Sequence, residues 1–219
     1  MEKIISIYSL VATSRTLTTT MTDATKNVRD LYPQLQGGIP MVVTAREKPI
    51  HSESINLPGH GERYSGVITP HVTLLHYVDA QNRSAQYIQT VRDVLTPGPL
   101  ALDRAGTYFR VSDEGIHYTC YLKYAQTPEW ADVRKRIVTA SQGYMSEKTY
   151  SEYLSIAYFP HSTILYDDST ETSVLEAEKR FPAEARHGVD VFDHLVLEQT
   201  TLYKDGTIAV DVIDEIALG

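Results

Sequence analysis

The sequence has too little of several things to support some common designs. It has one cysteine, Cys120, so it has neither an intramolecular disulfide nor a cysteine-based zinc site. That usage suits a reducing compartment, and a cytoplasmic protein is expected. Basic residues are outnumbered 20 to 28, which gives a net charge of −8. A non-specific grip on duplex DNA is therefore disfavoured, because it needs clustered Lys and Arg to displace counterions. A small phosphorylated ligand in a local pocket remains compatible with that balance. No apolar run approaches a membrane span: Ile4 to Ala12 is interrupted by Ser6, Tyr8 and Ser9. Glu2 and Lys3 cancel in front of it, so the run reads as a buried first strand rather than a signal peptide. There is no Gly-rich phosphate loop, HExxH or His-x-His cluster, and no metal or cofactor is expected.

At 219 residues the chain suffices for one generous domain or two small lobes. β-Branched and aromatic residues predict strands over 3–11, 39–45, 67–78, 100–111, 116–124, 158–166, 192–203 and 207–216. Apolar spacing predicts helices within 16–35, with Asp23 as cap, and over 84–95 and 170–181. A further helix follows Thr127, which caps it, with Pro128 at its first position. Lys204-Asp205-Gly206 reads as a hairpin turn. Residues 46–66 lack an apolar period and read as a long loop, a possible lid. Strands alternate with helices but hairpins intervene, so an α+β fold with antiparallel sheets is expected.

One feature carries chemistry. Pro70-His71-Val72-Thr73-Leu74-Leu75 and Pro160-His161-Ser162-Thr163-Ile164-Leu165 share the pattern Pro-His-x-Thr-aliphatic-Leu. The histidines stand 90 residues apart, each in a predicted strand followed by a helix, as in an internal repeat. A given histidine would meet this setting by chance roughly once in a thousand times, and the chain has 8. In a strand, residues i and i+2 share a face, so His71 projects with Thr73, and His161 with Thr163. Brought together, two imidazoles and two hydroxyls suit a phosphodiester. One neutral histidine takes a proton, the other, protonated, donates to the leaving oxygen, and the hydroxyls hold the non-bridging oxygens.

At these residues the chain resembles the two-histidine (2H) phosphoesterase superfamily. The stretch Tyr158-Phe159-Pro160-His161-Ser162-Thr163-Ile164-Leu165-Tyr166 is similar to the second motif of the fungal and plant 2′,3′-cyclic nucleotide phosphodiesterases. The resemblance implies two pseudo-symmetric lobes of antiparallel sheet, helices on the outside and an active site in the cleft between them, in a single two-lobed domain over 1–219. It implies His71 and His161 as the catalytic acid/base pair and Thr73 and Thr163 as phosphate ligands. It also implies Tyr166, five residues after His161, as a substrate contact. The implied activity is metal-independent hydrolysis of a 2′,3′-cyclic phosphate on a nucleotide, an RNA end or ADP-ribose, leaving the 2′-phosphate. The partner would be a small nucleotide or oligonucleotide, with no duplex DNA and no membrane. Two other functions stay open: degradation of 2′-5′ oligoadenylates or cyclic oligonucleotide signals, and non-catalytic binding of phosphorylated RNA ends.

The other histidines show no ligand spacing. His76, five residues after His71, counts out to the opposite strand face. His51 and His60 fall in the long loop. Cys120 reads as a buried free thiol. Arg15 and Arg110 are candidate phosphate forks, with solvated surface as the plainer reading.

Overall fold

A computed structural model describes residues 1–44, 62–111 and 118–219. The chain runs β1 (Lys3–Thr13), α1 (Arg15–Ala24), α2 (Lys26–Arg29), β2 (Ile39–Thr44), β3 (Arg63–Ile68), β4 (Val72–Leu75) and α3 (Ser84–Val94). It continues through β5 (Leu100–Val111), β6 (Tyr118–Tyr124), α4 (Pro128–Ala140), α5 (Glu147–Ser155), β7 (His161–Asp167) and α6 (Glu171–Arg180). It closes with β8 (His187–Phe192), β9 (His194–Tyr203) and β10 (Ile208–Ala217). Two sheets result, ordered β10-β9-β1-β4 and β3-β2-β7-β6-β5-β8. All neighbours pair antiparallel except β2 and β7. This is the expected α+β architecture, with helices outside the sheets.

The helices form where local chemistry starts and stops them. Ser14 caps α1 by accepting a hydrogen bond from the Leu17 amide at 2.9 Å, and Thr127 caps α4 through the Trp130 amide at 3.2 Å; such caps contribute about 1 kcal/mol each. Their apolar stripes, Leu17 and Met21 on α1 and Trp130, Val133 and Ile137 on α4, are buried in the main core with Leu10, Leu74, Leu122 and Ile164 from the strands. Among the described residues no helix is long and apolar enough to cross a membrane.

Several expectations change. The strand expected over 67–78 is two strands in different sheets. β3 pairs with β2, β4 pairs with β1, and the chain crosses between the sheets at Thr69-Pro70-His71. Pro70 has no amide hydrogen to offer a ladder, so pairing breaks there. Of the loop expected over 46–66, residues 46–61 lie outside the described residues, with His51 and His60, and Arg63 to Gly66 form most of β3. His117 also lies outside them. Asp23 sits inside α1, which Ser14 caps and which ends at Ala24. Two elements, α5 and β8, have no counterpart in the sequence reading.

The sheets meet at two joints. At the first, the Ser65 amide donates to the Gly206 carbonyl at 2.9 Å, and the backbone of Ile208 lies so close to Gly66 that any Cβ there would collide with it. Gly206 takes φ +84°, the left-handed turn conformation that lets β9 double back into β10. At the second joint, the Tyr158 hydroxyl donates to the Thr73 carbonyl at 2.8 Å.

Candidate active site

The two motifs share a backbone irregularity. In β4, Leu75 pairs with Leu10 and Thr73 with Val11, although Leu10 and Val11 are consecutive, so Leu74 is an extra residue. In β7, Leu165 pairs with Cys120 and Thr163 with Tyr121, so Ile164 is the extra residue. These are β-bulges at the same motif position. Each turns two successive aliphatic side chains into the core: Leu74 with Leu75, and Ile164 with Leu165, all buried. The residue that follows is thereby returned to the face of the threonine. Thr163 and Tyr166 are partnered by Tyr121 and Thr119, which share one face of β6. On the other side His76 Nδ1 lies 2.8 Å from the Ser9 hydroxyl, and Ser9 shares a face of β1 with Val11, the partner of Thr73. His76 therefore lies on the His71–Thr73 face, contrary to the count along a regular strand, and Tyr166 occupies the matching place in the other sheet.

The two histidines have different partners. His161 Nδ1 lies 2.8 Å from the Phe159 carbonyl. A carbonyl only accepts, so Nδ1 carries the proton and the neutral ring presents its lone pair at Nε2. Burial pushes His161 below the usual imidazole range; the Phe159 carbonyl works against this, and the charges of His71 and Arg110 reinforce it.

His71 faces a carboxylate. Its Nδ1 is 3.6 Å from Glu198 Oε2, an ion-pair distance longer than a hydrogen bond. Glu198 projects from β9 and is only 4% exposed. Burial raises its pKa above the usual carboxylate range, and His71 pulls it back down. Beside Glu198 lies a hollow of about 590 Å³, lined also by Thr13, Arg15, Thr69, His194 and Glu215.

His71, Thr73, His161 and Thr163 are each half-buried, with the intervening Val72 and Ser162 fully buried. Tyr158 fastens the halves together through Thr73, and the Arg134 guanidinium lies 4.1 Å above the Tyr158 ring. Cys120 is a buried free thiol on the core side of β6, and its pKa is raised by that burial. Arg15, the first residue of α1, lines the hollow, whereas Arg110 acts on His161. Glu198 has no place in the sequence reading. Its only signal is a charged residue directly after the apolar run Leu195-Val196-Leu197, where a solvated strand end is the simpler interpretation. Among the described residues no group of three or more His, Cys, Asp and Glu is arranged to hold a metal ion.

Two sheets, each carrying one His-x-Thr strand, with helices outside, match the two-histidine phosphoesterase fold. The sequence model of the 2′-5′ RNA ligase superfamily matches residues 51–200, and the chain belongs to that family. Its members are phosphoesterases and RNA ligases. Among solved structures, the chain is similar to TT0787 of Thermus thermophilus, with 14% identity, 98% of each chain covered and a TM-score of 0.58. It is also similar to E. coli LigT complexed with NADP+, with 13% identity, 100% of this chain and 99% of that one covered, and a TM-score of 0.52. LigT complexed with 3′-AMP aligns over 97% of this chain and 98% of that one, with 13% identity and a TM-score of 0.50. A search of curated protein sequences finds no match.

Proposed function

We propose that this protein is a phosphodiesterase that opens a 2′,3′-cyclic phosphate by paired-histidine acid/base catalysis without a metal ion. The observation that carries this reading is the contrast between the histidines. His161 is held neutral with Nε2 as acceptor, whereas His71 Nδ1 faces the Glu198 carboxylate at 3.6 Å. Two titratable groups with opposed surroundings divide naturally into base and acid.

In the proposed step, His161 Nε2 takes a proton from water as the water oxygen attacks phosphorus. The bond from phosphorus to the ribose 3′ oxygen breaks in line, and His71 Nε2 delivers its proton to that oxygen. The product is a 2′-phosphomonoester; His161 ends protonated and His71 neutral, and solvent restores both. Thr73 and Thr163 hold the non-bridging oxygens, where donors aimed at developing charge have their largest effect. Tyr166, on the same face as Thr163, borders the substrate. The 2′ regiochemistry follows the resemblance to the fungal and plant cyclic phosphodiesterases.

The test is hydrolysis of 2′,3′-cyclic AMP in excess EDTA, with identification of the product. Turnover by wild type, reduced by at least ~10²-fold in His71→Ala and in His161→Ala, is expected. Activity abolished by EDTA and restored by a divalent ion would refute the metal-free mechanism.

A further inference from the structure

The two half-sites are not held alike. β7, which carries His161 and Thr163, lies inside its sheet with β2 on one side and β6 on the other. β4, which carries Thr73 just after His71, is four residues long and ends its sheet, with β1 as its one neighbouring strand. Two tyrosine hydroxyls take up backbone groups of this strand and of the residue after it. Tyr158 donates to the Thr73 carbonyl at 2.8 Å. The Tyr153 hydroxyl accepts from the His76 amide at 2.6 Å and donates to the His76 carbonyl at 3.3 Å. These contacts bracket Leu74 and Leu75, the bulged pair that sets which way Thr73 and His76 face. An edge strand otherwise leaves such groups to water or to another chain. The tyrosines do for β4 what a second flanking strand does for β7.

One cation meets both rings. The guanidinium of Arg134, on α4, stands 4.1 Å from the centre of the Tyr158 ring and 5.5 Å from that of Tyr153. Arg134 is half-buried, and its Nε is buried with no hydrogen-bond partner among the described residues. Burial lowers its pKa, and the two tyrosines, rather than a carboxylate, work against this. A solvated arginine would keep its guanidinium in water, and a packing residue would be apolar, as Trp130, Val133 and Ile137 are on the same helix. What the guanidinium gains here is two aromatic faces. They belong to the two tyrosines whose hydroxyls hold the β4 backbone.

Building on the phosphodiesterase reading, we infer that Arg134 is a positioning residue for the first half-site. Through the rings of Tyr153 and Tyr158 it steadies the backbone on either side of the bulge, and so aims Thr73, with His71 two residues before it, at the reacting phosphate. Its effect runs through geometry, on which the rate of an oriented reaction depends steeply.

The experiment uses three variants. Arg134→Met removes the charge and keeps a long side chain, Arg134→Lys keeps the charge, and Tyr153→Phe keeps the ring and removes its hydroxyl. We would measure kcat and KM on 2′,3′-cyclic AMP, and backbone amide hydrogen exchange at His76 and Thr163 by NMR. One cation–π contact corresponds to about 2- to 30-fold. The kcat of Arg134→Met should fall by that much with KM nearly unchanged, and Arg134→Lys should recover most of it. Tyr153→Phe should lower kcat in the same way. The His76 amide should exchange faster in Arg134→Met and Tyr153→Phe, while the Thr163 amide keeps its wild-type rate. Wild-type kcat in Arg134→Met, a loss that Arg134→Lys does not recover, or exchange that quickens equally at His76 and Thr163 overturns the inference. Should Arg134→Met fail to fold, Tyr153→Phe against wild type decides by the same kcat and exchange criteria. If wild type turns over no cyclic phosphate, the phosphodiesterase reading fails and exchange alone decides. Faster exchange confined to His76 then supports the role of Arg134, and unchanged or general exchange overturns it.

Discussion

Replacing Glu198 with glutamine removes one negative charge and keeps the side chain's size, so it isolates what the carboxylate does for His71. At 3.6 Å and an effective dielectric constant of about 20, a carboxylate would attract a protonated imidazole by about 4.6 kcal/mol before desolvation is counted. Burial offsets part of this, as the raised pKa of Glu198 indicates. Loss of the carboxylate facing His71 should lower kcat by about 10- to 100-fold, about 1.4–2.7 kcal/mol in the barrier. The assay is kcat on a cyclic-phosphate substrate from pH 5 to 9 for wild type, Glu198→Gln, His71→Ala and the double variant. Because Glu198 acts through His71, the double variant should be no slower than His71→Ala alone. Stability should move the other way. A carboxyl whose folded pKa is raised above 4.5 supports folding fully at pH values below 4.5, and that support is lost as pH rises through the folded value. Glu198→Gln should therefore unfold at a higher temperature than wild type at pH 7 and at the same temperature near pH 4. Full wild-type kcat in Glu198→Gln across the range, or losses that multiply in the double variant, would refute the reasoning.

Three further outcomes are expected. The Ser162 hydroxyl is buried with no hydrogen-bond partner among the described residues, so Ser162→Ala should leave activity intact and change stability by no more than ~1 kcal/mol, whereas Thr163→Ala should lose ~10- to 10³-fold in kcat; chemical denaturation and initial rates check both. Tyr158→Phe removes the bond to the Thr73 carbonyl and should destabilise by ~1 kcal/mol while lowering kcat more than it raises KM, because the tether sets the distance between the half-sites. His161 has a folded pKa below its ordinary 6.5, so its share of stability is present above pH 6.5 and is lost as pH falls through the folded value. Between pH 7 and 5 the denaturant midpoint should accordingly fall more steeply for wild type than for His161→Gln.

The sequence was most legible where side-chain chemistry is local. Thr127-Pro128 announces the start of α4, and the repeated Pro-His-x-Thr pattern marks both motif strands. Tertiary context hid the rest. β8 turns Asp190 inward, where Arg104 and Tyr124 bind it at 2.7 and 2.8 Å, and leaves Val189 and Val191 exposed. That inverts the usual strand pattern, so hydropathy gives it no edge. The turn from β3 to β4 escaped because β3 ends and β4 begins in β-branched residues and only Thr69-Pro70-His71 separates them. The bulges are invisible for a related reason: Leu74-Leu75 and Ile164-Leu165 read as ordinary apolar pairs, yet they reverse the facing of His76. Glu198 is distant in sequence from His71 and reaches it only because β9 and β4 flank β1.

The bulges stand at the same place in both motifs, and two half-sites so alike would by themselves admit a phosphodiester in either orientation. The partners of the two rings remove that ambiguity. Under the proposed mechanism the ring facing the carboxylate donates and the ring held by the carbonyl accepts, so a substrate lying backwards would present its leaving oxygen to the accepting ring. Under that mechanism the orientation of the substrate is set by where the proton sits rather than by shape, and a variant that exchanged the two partners would be expected to cut the other bond of the cyclic phosphate.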